Sequence, residues 1–165
     1  MATDPYFDPG APGSESAPDA IAYVDGAVEP VNPGGTGGWG FTIRDHAGVL
    51  LKEGYGRMAA KPEMTNNVAE YIAAGLALKA YQELGRPGPL LVRGDSKLVV
   101  MQMLGHWKPR GGSYVKVYYR VKALLEKCSF VVQWEWVPRE QNQRADALSK
   151  LALMEIGIAP RGHRG

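Results

Sequence analysis

The order of strand-forming and helix-forming segments is the feature that most restricts the fold of this chain. Three β-prone segments come first, and the segments that follow alternate between helix and strand. Strands separated by helices need crossover connections, which place neighbouring strands parallel in one sheet. The pattern therefore predicts a mixed α/β domain with the order β-β-β-α-β-α-α-β-α, with helices available for both faces of the sheet.

Short apolar runs bounded by turn residues identify the first three strands. The run from Ile21 to Val24 is followed by Asp25-Gly26, which predicts a buried strand that ends at a turn. Residues 32–38 contain Asn, Pro, Thr and four glycines, which is typical of a loop. A hairpin is predicted next, with strands at 39–44 and 49–57 on either side of the turn-rich residues 45–48.

The remaining elements follow from helical periodicity and from capping residues. Apolar residues at three- and four-residue steps predict an amphipathic helix over residues 67–84. Asp95 and Ser96 are suited to cap a second helix. The other predicted elements are a strand at 90–93, helices at 96–104 and 115–127, a strand at 130–137 and a last helix at 142–156.

Both ends of the chain differ from its middle. The first 19 residues have recurring prolines and few side chains that would pack in a core, so we predict a flexible tail over residues 1–19. One domain of ordinary size is predicted over residues 20–157. Residues 158–165 are predicted to form a short disordered C-terminal tail.

The composition excludes several classes of protein. Hydrophobic residues make up 45% and charged residues 22% of the chain, which is typical of a globular protein. The single cysteine, Cys128, forms neither an internal disulfide nor a cysteine-based zinc site. No run approaches the roughly 18 apolar residues of a membrane helix, and the start of the chain lacks a signal-peptide pattern. We therefore expect a soluble, cytoplasmic monomer that does not bind membranes.

Four acidic residues stand where predicted strands end or helices begin. Asp25 follows the first strand, Glu70 lies in the first turn of the long helix, Asp95 follows the fourth strand, and Asp146 lies near the start of the last helix. Each has a structural alternative. These alternatives are a turn for Asp25, a capping box for Glu70 with Asn67, a helix cap for Asp95 and a favourable dipole interaction for Asp146.

Each acid lies within a short motif: YVDGA at 23–27, TNNVAE at 65–70, GDS at 94–96 and NQRADALS at 142–149. In this order and structural context, the four motifs resemble the signature segments of the ribonuclease H type 1 family. The resemblance covers residues 20–156. It implies the ribonuclease H-like fold, with a five-stranded mixed sheet of three antiparallel and then parallel strands, flanked by helices.

The resemblance implies that Asp25, Glu70, Asp95 and Asp146 come together as catalytic ligands of two Mg²⁺ ions, which Mn²⁺ would be able to replace. Clustered carboxylates raise one another's pKa values unless cations occupy the site. Oxygen ligands without a histidine pair or cysteine favour these ions over zinc. The implied reaction is hydrolysis of the RNA strand of an RNA/DNA hybrid by a two-metal mechanism, which leaves a 5′-phosphate and a 3′-hydroxyl.

The same resemblance implies that several residues contact the hybrid near the cut. The RNA 2′-hydroxyl is the group that distinguishes the strand to be cleaved. A turn glycine, a loop asparagine and a helix cap are the structural alternatives for Gly26, Asn66 and Asn142. The full predicted set near the cut is Gly26, Ala27, Asn66, Asn67, Ser96 and Asn142.

The loop before the last motif departs from the family pattern. Many members carry Gly-His-x-Gly there, whereas residues 137–141 read Val-Pro-Arg-Glu-Gln and contain no histidine. This shorter loop resembles that of the archaeal-type branch. Arg139 is the candidate for the role of the missing histidine in product release, and its alternative is a solvent-exposed loop residue.

The basic helix that many bacterial members insert is also missing. Pro109 and Gly111-Gly112 prevent a helix over residues 106–114. Trp107 is predicted either to stack on a sugar or base or to be partly buried. A strip of basic residues remains to contact phosphates, namely Lys108, Arg110, Lys116, Arg120, Lys122 and Lys127.

Two other functions fit parts of this pattern. A non-catalytic hybrid-binding module would keep the fold and the basic strip but lose an acid, whereas all four acids are present. A nuclease of the same fold with another substrate, such as a retroelement ribonuclease H domain or an enzyme that cuts duplex RNA, would share every motif. Only cleavage of matched duplexes separates this second possibility.

Overall fold

The computed structural model describes residues 17–160, and its elements follow the predicted order. Of the predicted tails, residues 1–16 and 161–165 lie outside the described residues. A single 3-10 turn, Arg139–Gln141, precedes the last helix. The main elements are β1 (Ala20–Glu29), β2 (Thr36–Asp45), β3 (Leu50–Met58), α1 (Asn66–Leu84), β4 (Leu90–Gly94), α2 (Lys97–Met103), α3 (Val115–Lys127), β5 (Val132–Trp136) and α4 (Gln143–Met154).

The five strands form one mixed sheet with the order β3-β2-β1-β4-β5. Strand β2 pairs antiparallel with β1 and β3, whereas β4 pairs parallel with β1 and β5. The predicted five-stranded mixed sheet is therefore confirmed. Within residues 17–160, no helix has both the length and the apolar character that crossing a bilayer requires.

Helices α1 and α4 cover opposite faces of the sheet, and two glycines allow their close approach. A Cβ atom at Gly26 would clash with the backbone of Ala69 in α1, and one at Gly40 would lie 2.6 Å from the backbone nitrogen of Ser149 in α4. Gly40 pairs with Asp25, the residue before Gly26. Because successive strand residues point to opposite faces, Gly26 serves the α1 face and Gly40 the α4 face.

The main core lies between α1 and the sheet. Helix α1 begins after Thr65, whose hydroxyl accepts the Val68 N–H, and ends at Gly85, which has a φ of 71°. The left-handed conformation at Gly85 is one that glycine adopts without strain. Tyr71 and Leu78 of α1 are fully buried in this core, together with the apolar side chains Ala22, Val24, Val28, Phe41 and Ile43 of the sheet.

The turn predicted at Asp25-Gly26 is wrong, because β1 continues through this dipeptide to Glu29. Gly26 pairs with Trp39 inside the sheet, so its lack of a side chain serves helix packing and not chain reversal. The loop predicted over residues 32–38 is also too long, since β2 already begins at Thr36. A Cβ atom at Gly37 would lie 2.7 Å from the terminal methyl group of Met58 and 2.8 Å from the sulfur of Met64.

Asp19, the last residue of the predicted tail, is anchored to the end of α1. Its carboxylate accepts hydrogen bonds from Arg86 Nε at 2.8 Å and from the Tyr81 hydroxyl at 3.0 Å. Its backbone N–H donates to Pro89 O at 2.8 Å. The Arg86 guanidinium holds the pKa of Asp19 below its ordinary value. Asp19 therefore contacts the folded part of the chain through both its side chain and its backbone, and the domain bounds 20–157 stay a prediction.

Candidate active site

Asp25 and Asp95 lie beside each other, Asp25 within β1 and Asp95 directly after the parallel strand β4. Val24 of β1 pairs with Gly94 of β4. Asp25 directly follows Val24, and Asp95 directly follows Gly94. Asp25 is only 4% exposed. The helix cap after β4 is Ser96, whose hydroxyl accepts the Val99 N–H at 3.3 Å. Asp95 is therefore not the helix cap, and its carboxylate is available to the site.

Glu70 joins these two acids from α1. Carboxylate oxygens of Asp25, Glu70 and Asp95 all lie within 4.8 Å of one another. Glu70 is buried, and it is the fifth residue of α1, so it lies one position beyond the first turn in which it was predicted. Because Thr65 caps this helix through Val68, the capping-box alternative for Glu70 is wrong.

Asp146 borders the same cluster from the first turn of α4. The Ser149 hydroxyl, one turn further on, lies 2.7 Å from the backbone oxygen of Asp146 and 3.4 Å from Asp25 Oδ2, and so connects the first turn of α4 to the Asp25 carboxylate. The Lys150 ammonium is 3.1 Å from Asp146 Oδ1. The structure thus brings all four predicted acids together, three of them tightly and Asp146 beside a lysine.

Burial and mutual repulsion disfavour the ionised forms of the three clustered acids. Burial raises the pKa of Asp25 to about 8, with the Asp95 and Asp146 charges adding to the effect. Burial also raises the pKa of Glu70 well above its ordinary value, and the nearby Asp25 raises it further. The pKa of Asp95 is raised by burial as well, although the Asn142 amide and the Arg139 charge oppose this rise. Such a cluster requires counter-charge to ionise fully at neutral pH.

The acids line an open cleft with a volume of about 580 Å³. Among the predicted site residues, Arg139 and the three substrate candidates Gly26, Ala27 and Asn66 also line it. Three residues that sequence reasoning did not assign to the site complete the lining. They are Glu29, Trp136 and Lys150.

The three unassigned residues left different signals in the sequence. Lys150 lies four positions after Asp146, a helical spacing that predicts contact. Glu29 lies two strand steps from Asp25 on the same face, but the turn predicted at Asp25-Gly26 hid this relationship. Trp136 was recognised only as a strand residue, although Gly94, its pairing partner, directly precedes Asp95.

Asn66 and Asn142 both use their side chains to hold β1. Asn66 Oδ1 accepts the Val28 N–H at 3.1 Å, and Asn142 Nδ2 donates to Val24 O at 2.8 Å. Asn142 stands at the start of α4 but makes no side-chain capping bond. Its buried Oδ1 has no hydrogen-bond partner within residues 17–160.

Two other predicted substrate contacts do not line the described cleft. They are Asn67, which is half-buried, and Ser96, which caps α2.

Four residues of the predicted basic strip line two surfaces other than the acidic cleft. Trp107, Lys108 and Arg110 line a separate cleft of about 580 Å³ beside Gln102 and Tyr114. Arg120 and Lys127 instead border an apolar groove between α1 and α3. Trp107 is 45% exposed, so much of its ring faces solvent and the alternative of a partly buried packing role is not favoured. The phosphate contacts proposed for the strip remain predictions.

Comparison with known proteins gives the same family by three routes. The sequence model of the reverse transcriptase-like family matches residues 23–152. A bifunctional protein of Mycobacterium tuberculosis is 37% identical over 126 residues, which cover 74% of this chain. This chain spans only 32% of that longer relative.

A relative of similar length and a solved structure agree with this family match. A ribonuclease H of a Ruegeria species is 30% identical over 163 residues, covering 90% of this chain and 99% of the relative. The crystal structure of LC11-RNase H1 in complex with an RNA/DNA hybrid superimposes with a TM-score of 0.76 at 31% identity. It covers 83% of this chain and 98% of that protein. With this fold and this arrangement of four acids, the chain belongs to the ribonuclease H family.

Proposed function

We propose that the protein is an endoribonuclease that hydrolyses the RNA strand of RNA/DNA hybrids and leaves a 5′-phosphate and a 3′-hydroxyl. The observation that carries the proposal is the cluster of Asp25, Glu70 and Asp95, whose ligand oxygens lie within 4.8 Å of one another, with Asp146 on the same cleft. Hybrid binding by the related LC11-RNase H1 supports the choice of substrate.

The acidic cluster suits divalent cations. The buried Oδ2 atom of Asp95 has no hydrogen-bond partner in the described part of the chain. An unpartnered buried carboxylate oxygen is costly, and a cation would satisfy it. The ligand set is made of carboxylates, and the described chain brings no histidine or cysteine into the cleft, which favours Mg²⁺ or Mn²⁺. Asp25, Glu70, Asp95 and Asp146 would hold two such ions.

When bound, the two metal ions would activate the attacking water and stabilise the departing 3′-oxygen. The chain itself positions the reacting phosphate. Gly26, Ala27 and Asn66 line the cleft beside the acids, where they would contact the RNA next to the cut. Asn142 fixes the middle of β1 through Val24 O and thereby holds Asp25 in place. Arg139, exposed at the rim, supplies positive charge for release of the cleaved phosphate.

Strand choice follows from the groups that the cleft presents. The side-chain amide of Asn66 lines the cleft. An amide can donate a hydrogen bond to a 2′-hydroxyl or accept one from it, and DNA lacks this hydroxyl.

The decisive test is cleavage of RNA/DNA, RNA/RNA and DNA/DNA duplexes of one sequence, with Mg²⁺, Mn²⁺ or EDTA. We expect cleavage of the RNA strand of the hybrid with either metal and none with EDTA. End analysis should give 5′-phosphates. Cleavage of the RNA/RNA duplex at a comparable rate would replace the proposed substrate, and hybrid binding without cleavage would indicate a non-catalytic module.

A further inference from the structure

Trp136 is an exposed aromatic residue at the edge of the catalytic cleft. It is 43% exposed and is the one aromatic side chain among the cleft-lining residues that the structure describes. Its indole N–H donates to the backbone oxygen of Asp95 at 3.2 Å. The ring is thus tied to the strand end that carries an active-site acid, while much of its surface faces solvent.

Lys97 accompanies this ring. Its ammonium lies 5.9 Å from the centre of the Trp136 ring, within the range of a cation–π contact. Lys97 is the first residue of α2, two positions after Asp95, and its side chain is exposed. The pair therefore combines a flat apolar surface and a positive charge on the Asp95 side of the cleft.

The charges of the cleft explain how Trp136 and Lys97 would help to bind a nucleic acid. Five acids line the cleft against two basic residues, Arg139 and Lys150, and Lys150 is already paired with Asp146. A polyanionic substrate therefore gains little from the cleft lining itself before cations bind. Contacts on its border have to supply attraction, either from uncharged surface or from additional positive charge.

We propose that Trp136 and Lys97 together contact one nucleotide of the bound hybrid on the Asp95 side of the cleft. Paired bases are stacked inside a duplex, so the indole ring packs against a sugar, and the Lys97 ammonium binds the adjoining phosphate. The hydrogen bond to Asp95 O fixes the ring for this contact. This inference rests on the proposed function, because it deepens the choice of a nucleic-acid duplex as substrate.

The test measures hybrid affinity separately from turnover. Fluorescence anisotropy of a labelled hybrid in the Asp25→Asn background gives Kd with Mg²⁺ present, and steady-state cleavage in the wild-type background gives kcat and KM. Trp136→Ala should raise Kd and KM about tenfold, as expected for loss of about 50 Å² of apolar contact, and change kcat less than about twofold. Trp136→Phe keeps a flat ring and should raise Kd less than about threefold.

Lys97→Gln should weaken hybrid binding and lower the slope of log Kd against log salt by about one, as for one lost phosphate contact. Lys52→Gln is the matched control, because Lys52 is exposed on β3 at the far edge of the sheet. It should leave both Kd and the salt slope unchanged.

Two outcomes would overturn the inference. If Trp136→Ala and Trp136→Phe lower kcat equally without changing Kd, the tryptophan only positions Asp95. If Lys97→Gln matches Lys52→Gln, no phosphate is bound there. The proposed function is contradicted by a different result, namely that the wild-type protein does not cleave the hybrid. Even then, the anisotropy measurement decides whether Trp136 contacts the duplex.

Discussion

The Lys150 ammonium lies 3.1 Å from Asp146 Oδ1, one helical turn further along α4, and this contact occupies the acid that stands outside the tight cluster. The lysine side chain is only 13% exposed. Lys150 therefore supplies positive charge to Asp146, so the ammonium competes with any cation that Asp146 helps to hold. The fourth acid is thus distinguished from Asp25, Glu70 and Asp95 by its partner.

Replacing Lys150 with Gln should strengthen Mg²⁺ binding, because Asp146 loses its competing cation. We expect the Mg²⁺ concentration for half-maximal thermal stabilisation to fall about two- to fivefold, the range for an ion pair worth about 0.5–1 kcal/mol. Lys150→Arg keeps the charge and should behave as the wild type. Weaker Mg²⁺ binding by Lys150→Gln would show that the lysine supports the metal site.

Asp25→Asn should lower turnover at least about a thousandfold, the upper range for loss of an electrostatic group at a reacting centre. Hybrid affinity should change little, because the cleft and its surroundings stay in place. Circular dichroism, hybrid binding and cleavage rates provide the check. Substantial residual turnover would contradict the assignment of Asp25 as a metal ligand.

The same residue predicts how the metal-free protein responds to pH. Burial raises the pKa of Asp25 in the folded protein to about 8, from an ordinary value of 3.8. The folded state therefore binds more protons than the unfolded state between these pKa values, so stability is lost as pH rises through that range. In EDTA, the Tm should fall between about pH 4 and pH 8, and Asp25→Asn should reduce this slope. A Tm that rises with pH there would contradict the predicted direction.

Periodicity and resemblance predicted different parts of this molecule. Helical spacing placed α1 and α4 within two residues of their observed ends. The proximity of Asp25 and Glu70, 45 positions apart, followed only from the family resemblance, because local patterns carry no information about long-range contacts. The depth of Asp25 within β1 was missed because Asp-Gly is also a common turn signal. The separation of Trp107 from the acidic cleft depends on how the α2–α3 connection folds, which the sequence pattern does not define.

Gly26→Ala should damage both stability and activity. The new Cβ would meet the backbone of Ala69 and Glu70, which has no room to move without displacing α1. We expect a loss of about 1–3 kcal/mol from overpacking and a fall in kcat as Glu70 shifts. Gly75→Ala in α1 is the control, since a Cβ atom at Gly75 would make ordinary contact with Val121 at 3.5 Å. It should be neutral or stabilising, by up to about 1 kcal/mol. Equal effects of both substitutions on kcat would refute the close-approach role of Gly26.

Asp19→Asn should lower the Tm by about 2–4 °C at neutral pH, because the Arg86 ion pair and part of the Tyr81 contact are lost. The pKa of Asp19 is lowered in the folded state, so its contribution is present above about pH 4 and disappears as pH falls further. The difference in Tm between variant and wild type should therefore vanish in acid. Cleavage of short hybrids should be unaffected at temperatures where both proteins are folded.

Arg139→Ala should lower kcat severalfold and change KM less. Arg139 is exposed and lines the cleft together with the four acids. Its positive charge opposes the rise in the pKa of Asp95. Its charge should matter most after bond cleavage, when release of product limits turnover. Because arginine stays protonated near neutral pH, no titration of Arg139 should appear in the pH profile of the rate. Arg139→Lys should recover part of the lost kcat. Steady-state turnover of Arg139→Ala equal to that of the wild type would mean that this side chain is only a solvated loop residue.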